Sequence, residues 1–470
     1  MVRNHDNPPP GGYPAVPAYL ESVTLVVGGI LVGLCALTTV GVVFAHFKWF
    51  PRVDFTMYHA AARTALAGES LYHFHEPGGY LPGNLPYPYP PLLASLMSPL
   101  GSLSVGVAYH LWVIIIVGSL GLSAYLTARL VSDLGARRPI LLAAGAVMLS
   151  LVLLDSNIYW GQVNIPVTAL VAGAVLCGHR GRSGWAGVLL GLAAALKVLP
   201  VLLVIWLVAR RDWKAIGAFT ATILVGVFAV PALVAGPAWA WRMNREWLEL
   251  FHAAMTQGSQ GLQSGGGYVS HRKNGSLVAV FDRIFGGANR KPMVIKLPQD
   301  TINLLAGGLR WTIMVFSLVA ACVPWRRRAA DYEPYLWPLV ASMLLVTGWL
   351  FNILLWDHHT IGLVFILPVV AAACLDKRLP PRWRLPLWIG LLSASTGLAS
   401  GWFDGSRSWG IQTLCFIVLW LGIAVALITA PPPPPPEAEP RPLQLDLPFP
   451  ATPKTEAGAT ASPSSTPAAR

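Results

Sequence analysis

The sequence predicts an all-α polytopic membrane protein, and three observations carry that prediction. Of 470 residues, 54% are hydrophobic and only 11% charged, whereas soluble domains average roughly 25% charged. Apolar runs near 20 residues recur along most of the chain, each enough to cross a hydrocarbon core of about 30 Å. The basic residues behind the formal net charge of +12 gather in short turns between those runs: Arg137 and Arg138, Arg180 and Arg182, 210–214, 326–328 and 377–384. That is the distribution the positive-inside rule produces. It lacks the basic surface with interleaved aromatics that nucleic-acid binding needs, so no nucleic-acid partner is expected. Cys35, Cys177, Cys322, Cys374 and Cys415 lie within or at the edges of apolar segments with no paired or metal-like spacing, which marks them as packing residues.

In chain order, residues 1–19, with PPPGG, read as a flexible cytoplasmic arm. The first span, 20–46, is too long for a signal-peptide core and is expected to stay in the membrane. An extracytoplasmic loop, 47–91, follows. Its YHAAARTALAG can form a helix, but the tyrosines and prolines of 80–91 cannot continue it, so an aromatic loop returns the chain to the bilayer. Spans are expected at 108–131, 139–154 and 165–177, with DSNIYWGQVN lying outside between the last two. The run 185–208 carries basic clusters at both ends and Lys197 and Pro200 in its middle. A hairpin of two half-length helices satisfies the charge rule, irregular backbone being tolerated where protein or a cavity surrounds it; a single crossing is the alternative.

After a span at 216–233 comes the longest polar segment, 236–300, extracytoplasmic by parity, with GSQGLQSGGGY, HRKNGSL and a short amphipathic FDRIF. Loops of that length usually have a function. Spans resume at 302–323, 335–354, 360–374, 385–400 and 410–429, giving about eleven transmembrane or half-spanning helices within 20–430. Residues 431–470, opening PPPPPPEAEPRPLQ, cannot bury a core. They read as a disordered cytoplasmic tail, either a tether or a binding site for a protein partner.

Several residues could carry chemistry. Asp54 stands just beyond the first span, where a carboxylate is costly and tends to mark a reacting group; it would equally serve as an N-cap for the helix that follows. Tyr58 shares its helix face at i,i+4, or belongs to an interfacial aromatic belt. Tyr87 and Tyr89, with Tyr72 and Tyr80, form an aromatic wall suited to a sugar or an isoprenoid, or to plain loop packing. In GQVN, Gln162 and Asn164 offer amides suited to sugar hydroxyls beside a glycine where backbone can approach closely. Lys197 could reach a phosphate, and an ammonium at that depth is hard to justify as decoration. His358 and His359 of WDHH invite a metal reading, but adjacent residues on a helix point about 100° apart and HExxH spacing is absent; hydrogen bonding to substrate is the better role. His271, Arg272 and Lys273, before Asn274, could meet a lipid phosphate or form a solvated basic patch.

DFTMYHAAARTALAGESLY, YPYPPLLASLMSPL, GQVN, AGVLLGLAAALKVLPVLL, NGSL and WDHH, in that order, resemble glycosyltransferase family 87, GT-C enzymes that use polyprenyl-phosphate sugars and include actinobacterial mannosyltransferases. The resemblance covers Asp54 to about Leu375. It implies a GT-C fold, Asp54 as catalytic base, and Gln162, Asn164, Lys197 and His358 or His359 lining the site. Gly275 in NGSL departs from the glutamine expected in many relatives. The implied reaction moves mannose, or alternatively arabinofuranose, from a polyprenyl-phosphate donor to a glycolipid or glycan acceptor at the outer face of the plasma membrane. It inverts the anomeric centre and calls for no cofactor. A transporter is the less favoured reading, because repeated halves with matching broken helices are missing.

Overall fold

Helices account for nearly all of the regular structure in the computed structural model, which describes residues 18–47, 53–72, 87–256, 273–286, 293–323, 333–400 and 409–430. The N-terminal arm, residues 73–86 and 257–272, and the Pro-rich tail lie outside the described residues. Contacts separate unit 433–470 from the rest, and only the first unit is considered below.

Helix α1 (Ala18–Phe47) is a single long helix. Helix α2 (Val53–Leu66) follows, then the short α3 (Pro91–Leu96) and α4 (Ser98–Gly101), and α5 (Val105–Asp133). The expected span 139–154 is two helices, α6 (Pro139–Leu149) and α7 (Leu151–Trp160), bent by 61° at Ser150. DSNIYW is therefore the end of a helix rather than a loop. Helix α8 (Asn164–His179) leads to α9 (Ser183–Leu196), a 3₁₀ turn (Leu199–Leu203) and α10 (Val204–Ala209). Seven described helices, or eight if α6 and α7 are one broken span, are long and apolar enough to cross a membrane; α8, α9 and the 199–209 segment are shorter apolar helices.

The run 185–208 reverses direction. Helix α11 (Trp213–Leu224) packs along α9 so closely that a Cβ on Gly187 would lie 2.1 Å from Ala215 O, and one on Gly191 2.7 Å from Phe219 O. Both members of these pairs advance together along the chain, so α9 and α11 are parallel and the segment between them must return. A single crossing would have made them antiparallel. The break falls at Lys197, whose backbone is extended (φ −149°, ψ 126°), and Pro200 prevents the helix from resuming normally.

A five-residue π-helical stretch (Val225–Ala229) and α12 (Val230–Ala235) continue α11. The described parts of 236–300 are largely helical despite their polarity: α13 (Pro237–Thr256) is a 20-residue helix where a loop is expected, and FDRIF falls in α14 (Leu277–Phe285). Helices α15 (Gln299–Cys322), α16 (Glu333–Phe351), α17 (Leu363–Leu375), α18 (Pro381–Ser400) and α19 (Ile411–Thr429) complete the domain. The last two pair as a hairpin, Trp383 Nε1 donating to Ala426 O at 2.6 Å.

Two ends of the bundle differ chemically. At one, Arg180 pairs with Asp133 at 2.7 Å, Arg210 Nη2 donates to Gly178 O at 2.9 Å, and Asp376 holds Arg378 at 2.6 Å beside Tyr335. These are the far ends of α5, α8, α10 and α17, where the basic turns sit. The near ends of α8 and α17, each some 20 Å away at 1.5 Å per residue, hold the other half of the chain's polar chemistry.

Candidate active site

Asp54 lies in the first turn of α2, where the positive end of the helix dipole favours a carboxylate. It is not the N-cap. Its Oδ2 accepts from Gln162 Nε2 at 2.5 Å. What brings Gln162 there is Gly161, in the left-handed conformation at φ 70° after α7. A Cβ at that position would come within 2.6 Å of Phe55 Cβ, so glycine serves both the turn and the close approach of α2. Trp112 Nε1 donates to Gly161 O at 2.7 Å and Tyr109 Oη to Ile158 O at 3.0 Å, which fixes the turn from α5.

Gln162 is the hub. Tyr58 Oη and Tyr89 Oη lie 2.9 Å apart, and both are within 3.4 Å of Gln162 Oε1; two hydroxyl protons suffice for one tyrosine to donate to the other and the second to donate to the amide. Asn164 Nδ2 lies 3.4 Å from the same oxygen and donates to His358 O at 2.9 Å. The Asn164 Oδ1 accepts from Lys197 Nζ, and that ammonium sits 5.7 Å from the Tyr89 ring centre. A continuous chain therefore runs Asp54, Gln162, Asn164, Lys197, from a carboxylate on α2 to a cation at the break after α9. Every amide in it is oriented by a partner that accepts only one way round.

Burial holds the Asp54 carboxyl above the usual carboxylate range, while the Gln162 hydrogen bond and the Lys197 charge draw it part of the way back. Burial likewise raises Tyr58, Tyr87 and Tyr89 above the ordinary phenol range. They remain proton donors at neutral pH. The arrangement thus offers a half-buried carboxylate, neutral donors near it, and a lysine on the far side of two amides.

His358 and His359 enter through a 3₁₀ turn (Asp357–Gly362). Asn157 Nδ2 donates to Leu153 O at 2.7 Å and to His358 O at 3.1 Å, and the His358 ring approaches Ser156 Oγ at 3.4 Å. His359, Asn164, Lys197 and Asn352 together line a small cavity of about 40 Å³ with Trp349 and Phe365 at its apolar side, enough for a water. Among the described residues no three His, Cys, Asp or Glu side chains are placed to share a metal ion.

Asn274 does something other than face a ligand. It is fully buried; its Oδ1 accepts from Ser276 N at 3.0 Å and Leu355 N at 2.9 Å, and its Nδ2 donates to Ile353 O at 3.3 Å. With Gly275 N donating to Leu355 O at 2.7 Å and Thr413 Oγ1 to Gly275 O at 2.5 Å, NGSL clamps the strand of chain that carries WDHH. Its Asn274 side chain braces rather than presents. Lys273 is exposed at the start of this turn, and His271 and Arg272 lie outside the described residues. Tyr87 packs on Tyr89, ring centres 5.7 Å apart, and stands behind it relative to Gln162. Asn157, fully buried, joins the site without a motif to single it out; in sequence its only signal is an amide standing within the run 151–160.

A model of glycosyltransferase family 87 matches residues 87–351, more than half of the chain. The chain belongs to this family. Its all-helical, multi-span architecture is the one expected of a GT-C enzyme, while Asp54 and the 356–359 run lie outside the matched residues. Similar curated proteins carry the name polyprenol-phosphate-mannose-dependent alpha-(1-2)-phosphatidylinositol mannoside mannosyltransferase. One, from Mycobacterium tuberculosis, is 36% identical over 44% of this chain and half of its own length. Another, from Mycolicibacterium smegmatis, is 27% identical over 77% of this chain and 78% of its own. The chain thus spans only half of the first relative. Among solved structures, ArnT from Cupriavidus metallidurans bound to undecaprenyl phosphate aligns over 84% of this chain and 76% of its own at 15% identity and a TM-score of 0.38.

Proposed function

We propose that this family 87 member is an integral-membrane, inverting mannosyltransferase. It moves mannose from a polyprenyl-phosphate donor to a glycolipid or cell-envelope glycan on the extracytoplasmic face of the plasma membrane, with Asp54 as general base. The observation that carries the proposal is the Asp54–Gln162–Asn164–Lys197 chain. Attack of an acceptor hydroxyl on the anomeric carbon forms one C–O bond and breaks the bond to the phosphate; the hydroxyl proton passes to Asp54, and charge builds on the departing phosphate, where Lys197 can meet it. Base and cation are held apart by two amides, so they do not neutralise each other by direct pairing. With a β-linked donor a single displacement gives an α-glycoside, which agrees with the names of the mycobacterial relatives.

Sidedness is supported by the two ends of the bundle. The basic turns and their ion pairs mark the cytoplasmic end under the positive-inside rule, and the Asp54 cluster lies at the opposite end of the same helices. His359, beside Lys197, and the exposed Lys273 are further groups for the phosphate, with Arg272 next to it in sequence; Tyr58 and Tyr89 are donors toward sugar hydroxyls, and Tyr87 backs them.

The test uses membranes supplied with labelled polyprenyl-phosphate-mannose or polyprenyl-phosphate-arabinose, with wild type and Asp54→Asn compared. Transfer from the mannose donor into an α-mannosidase-sensitive product, lost in Asp54→Asn, is expected. Equal transfer by both proteins rejects Asp54 as base, transfer from the arabinose donor alone replaces the sugar, and transfer from neither rejects the enzyme reading.

A further inference from the structure

Helix α13 begins immediately after Gly236 and presents three faces. Trp241, Leu248 and Phe251 are exposed apolar residues on one, and Trp241 shares an apolar groove with Leu224 and Val225 of the preceding span, as befits a helix lying along a membrane surface. Arg242, Arg245 and Glu249 form a solvated charged face, Arg245 facing Glu249 and Arg242 facing the nearly buried Glu246, each at i,i+4. The third face, Trp239, Ala240, Met243 and Asn244, is buried. Asn244 Nδ2 donates to Val227 O at 2.7 Å, a carbonyl of the π-helical stretch, and so docks α13 onto the span.

The buried face and its edges grip the connection between α2 and α3 at both of its described ends. Trp239 Nε1 donates to Glu69 O at 2.7 Å, Arg242 Nη2 to Gly68 O at 3.0 Å, and Trp247 Nε1 to Pro88 O at 3.4 Å. The strongest contact is Ser70 Oγ donating to Glu246 Oε2 at 2.5 Å, a hydrogen bond to a carboxylate whose side chain is only 12% exposed. Its other oxygen, Oε1, faces Arg242 Nε at 3.9 Å. Ser70 Oγ also accepts from Tyr72 N at 3.3 Å, and Tyr72 Oη donates to Tyr89 O at 3.0 Å. Tyr89 then reaches Tyr58 and Gln162. Hydrogen bonds, linked through the bodies of Tyr72 and Tyr89, thus connect Glu246 on α13 with the partner of Asp54.

We propose that α13 is a strap and Glu246 a positioning residue for the Asp54 site, acting through Ser70, Tyr72 and Tyr89. This rests on the reading of Asp54 as the base. Glu246 touches no reacting atom; it fixes where the Tyr89 hydroxyl stands relative to Gln162. Charge-assisted hydrogen bonds of this kind are about twice as strong as neutral ones. Misplacement of a site by about 1 Å can cost on the order of a hundredfold in rate.

The experiment uses the full-length protein in lipid nanodiscs, with Glu246→Ala, Ser70→Ala and Glu246→Gln. Hydrogen exchange at residues 68–72 and 89 is read by mass spectrometry, together with kcat, the donor KM and Tm. Both alanine variants are expected to exchange faster in those segments and to lose roughly ten- to a hundredfold in kcat with donor KM within about twofold. Glu246→Gln, whose amide oxygen can still accept from Ser70, is expected to recover most of both. Unchanged exchange in Glu246→Ala overturns the strap. Faster exchange with kcat per folded molecule unchanged overturns the positioning role. If wild type transfers no sugar, the proposed function fails, and the exchange comparison still decides whether α13 holds the loop.

Discussion

Gln162→Leu isolates the partner of the base without touching the base. In the wild type the Gln162 amide donates to Asp54 Oδ2 at 2.5 Å while its oxygen collects the Tyr58 and Tyr89 hydroxyls. Leucine is close in size and removes both functions. A hydrogen bond to a charged group is worth about 1.5–3 kcal/mol, so the ionised carboxylate loses roughly ten- to a hundredfold in its ionisation equilibrium. The sign follows from which form Gln162 favours: burial already raises the Asp54 pKa and Gln162 lowers it, so its loss raises the pKa further. A general base works only when deprotonated. The acid limb of the kcat/KM profile for mannose transfer is therefore expected to move to higher pH, with transfer at a fixed pH inside the limb falling by that same factor. On the alkaline plateau the remaining base is stronger, and the loss there reports only displaced tyrosines. An acid limb that stays where the wild type has it, measured on protein of unaltered fold, refutes the assignment of Asp54 as the titrating base and of Gln162 as its partner.

Three further outcomes are expected. Lys197→Met removes the charge that helps hold Asp54 ionised and the proposed partner of the leaving phosphate; transfer should fall by about 10²–10³, and the acid limb of the residual activity should move up, as seen by labelled-donor assay across pH. Gly161→Ala forces a Cβ to within 2.6 Å of Phe55 at φ 70°, so a loss of roughly 1–3 kcal/mol in stability and a reduced kcat should appear together in thermal unfolding and transfer assays. Asp54→Asn should raise Tm at neutral pH while abolishing transfer. A carboxyl whose folded pKa lies above its unfolded value binds its proton more tightly in the folded state, so its contribution to stability falls as pH rises from the unfolded pKa through the folded one. Above that window the neutral asparagine avoids the penalty, and Tm values of variant and wild type should converge below it.

How far the site was legible depended on whether a residue's partner lay on its own element. Tyr58 was placed beside Asp54 by i,i+4 spacing, and both do converge on Gln162. The break at Lys197 was legible because a lysine and a proline inside an apolar run leave few alternatives, and the parallel packing of α9 and α11 shows the return that the charge pattern required. The glycine of GQVN was nominated for close approach, although only the structure shows Phe55 as what approaches. By contrast, nothing in the spacing of NGSL says that Asn274 uses both ends of its amide on backbone 79 to 81 residues away, and an asparagine that braces a loop looks the same in sequence as one that binds a sugar. Helix α13 was hidden for a different reason. Arg242, Arg245, Glu246 and Glu249 interrupt its apolar residues, so the run cannot be read as a span, and an amphipathic helix within a polar segment reads as loop.

The same distinction bears on how the site holds its proposed base. Asp54 sits on a helix of only 14 residues outside the spans, and its neighbours come from four other places in the chain: the turn before α8, the break after α9, the aromatic connection to α3, and, through backbone carbonyls, the WDHH turn. None of these is rigid alone. Each is fixed by a device acting at a distance: Gly161 against Phe55, Trp112 on the Gly161 carbonyl, Asn164 and Asn157 both on His358 O, NGSL on the segment before WDHH, and α13 on the loop with the tyrosines. A long helix-borne constellation could have kept its geometry through helix packing alone, but it would have placed the carboxylate deep among apolar neighbours, where its charge costs most. Asp54 stands in the first turn of a short, largely buried helix, and burial raises its carboxyl above the usual range; the Gln162 amide, brought to it on the Gly161 turn and itself oriented by tyrosine hydroxyls, draws it part of the way back.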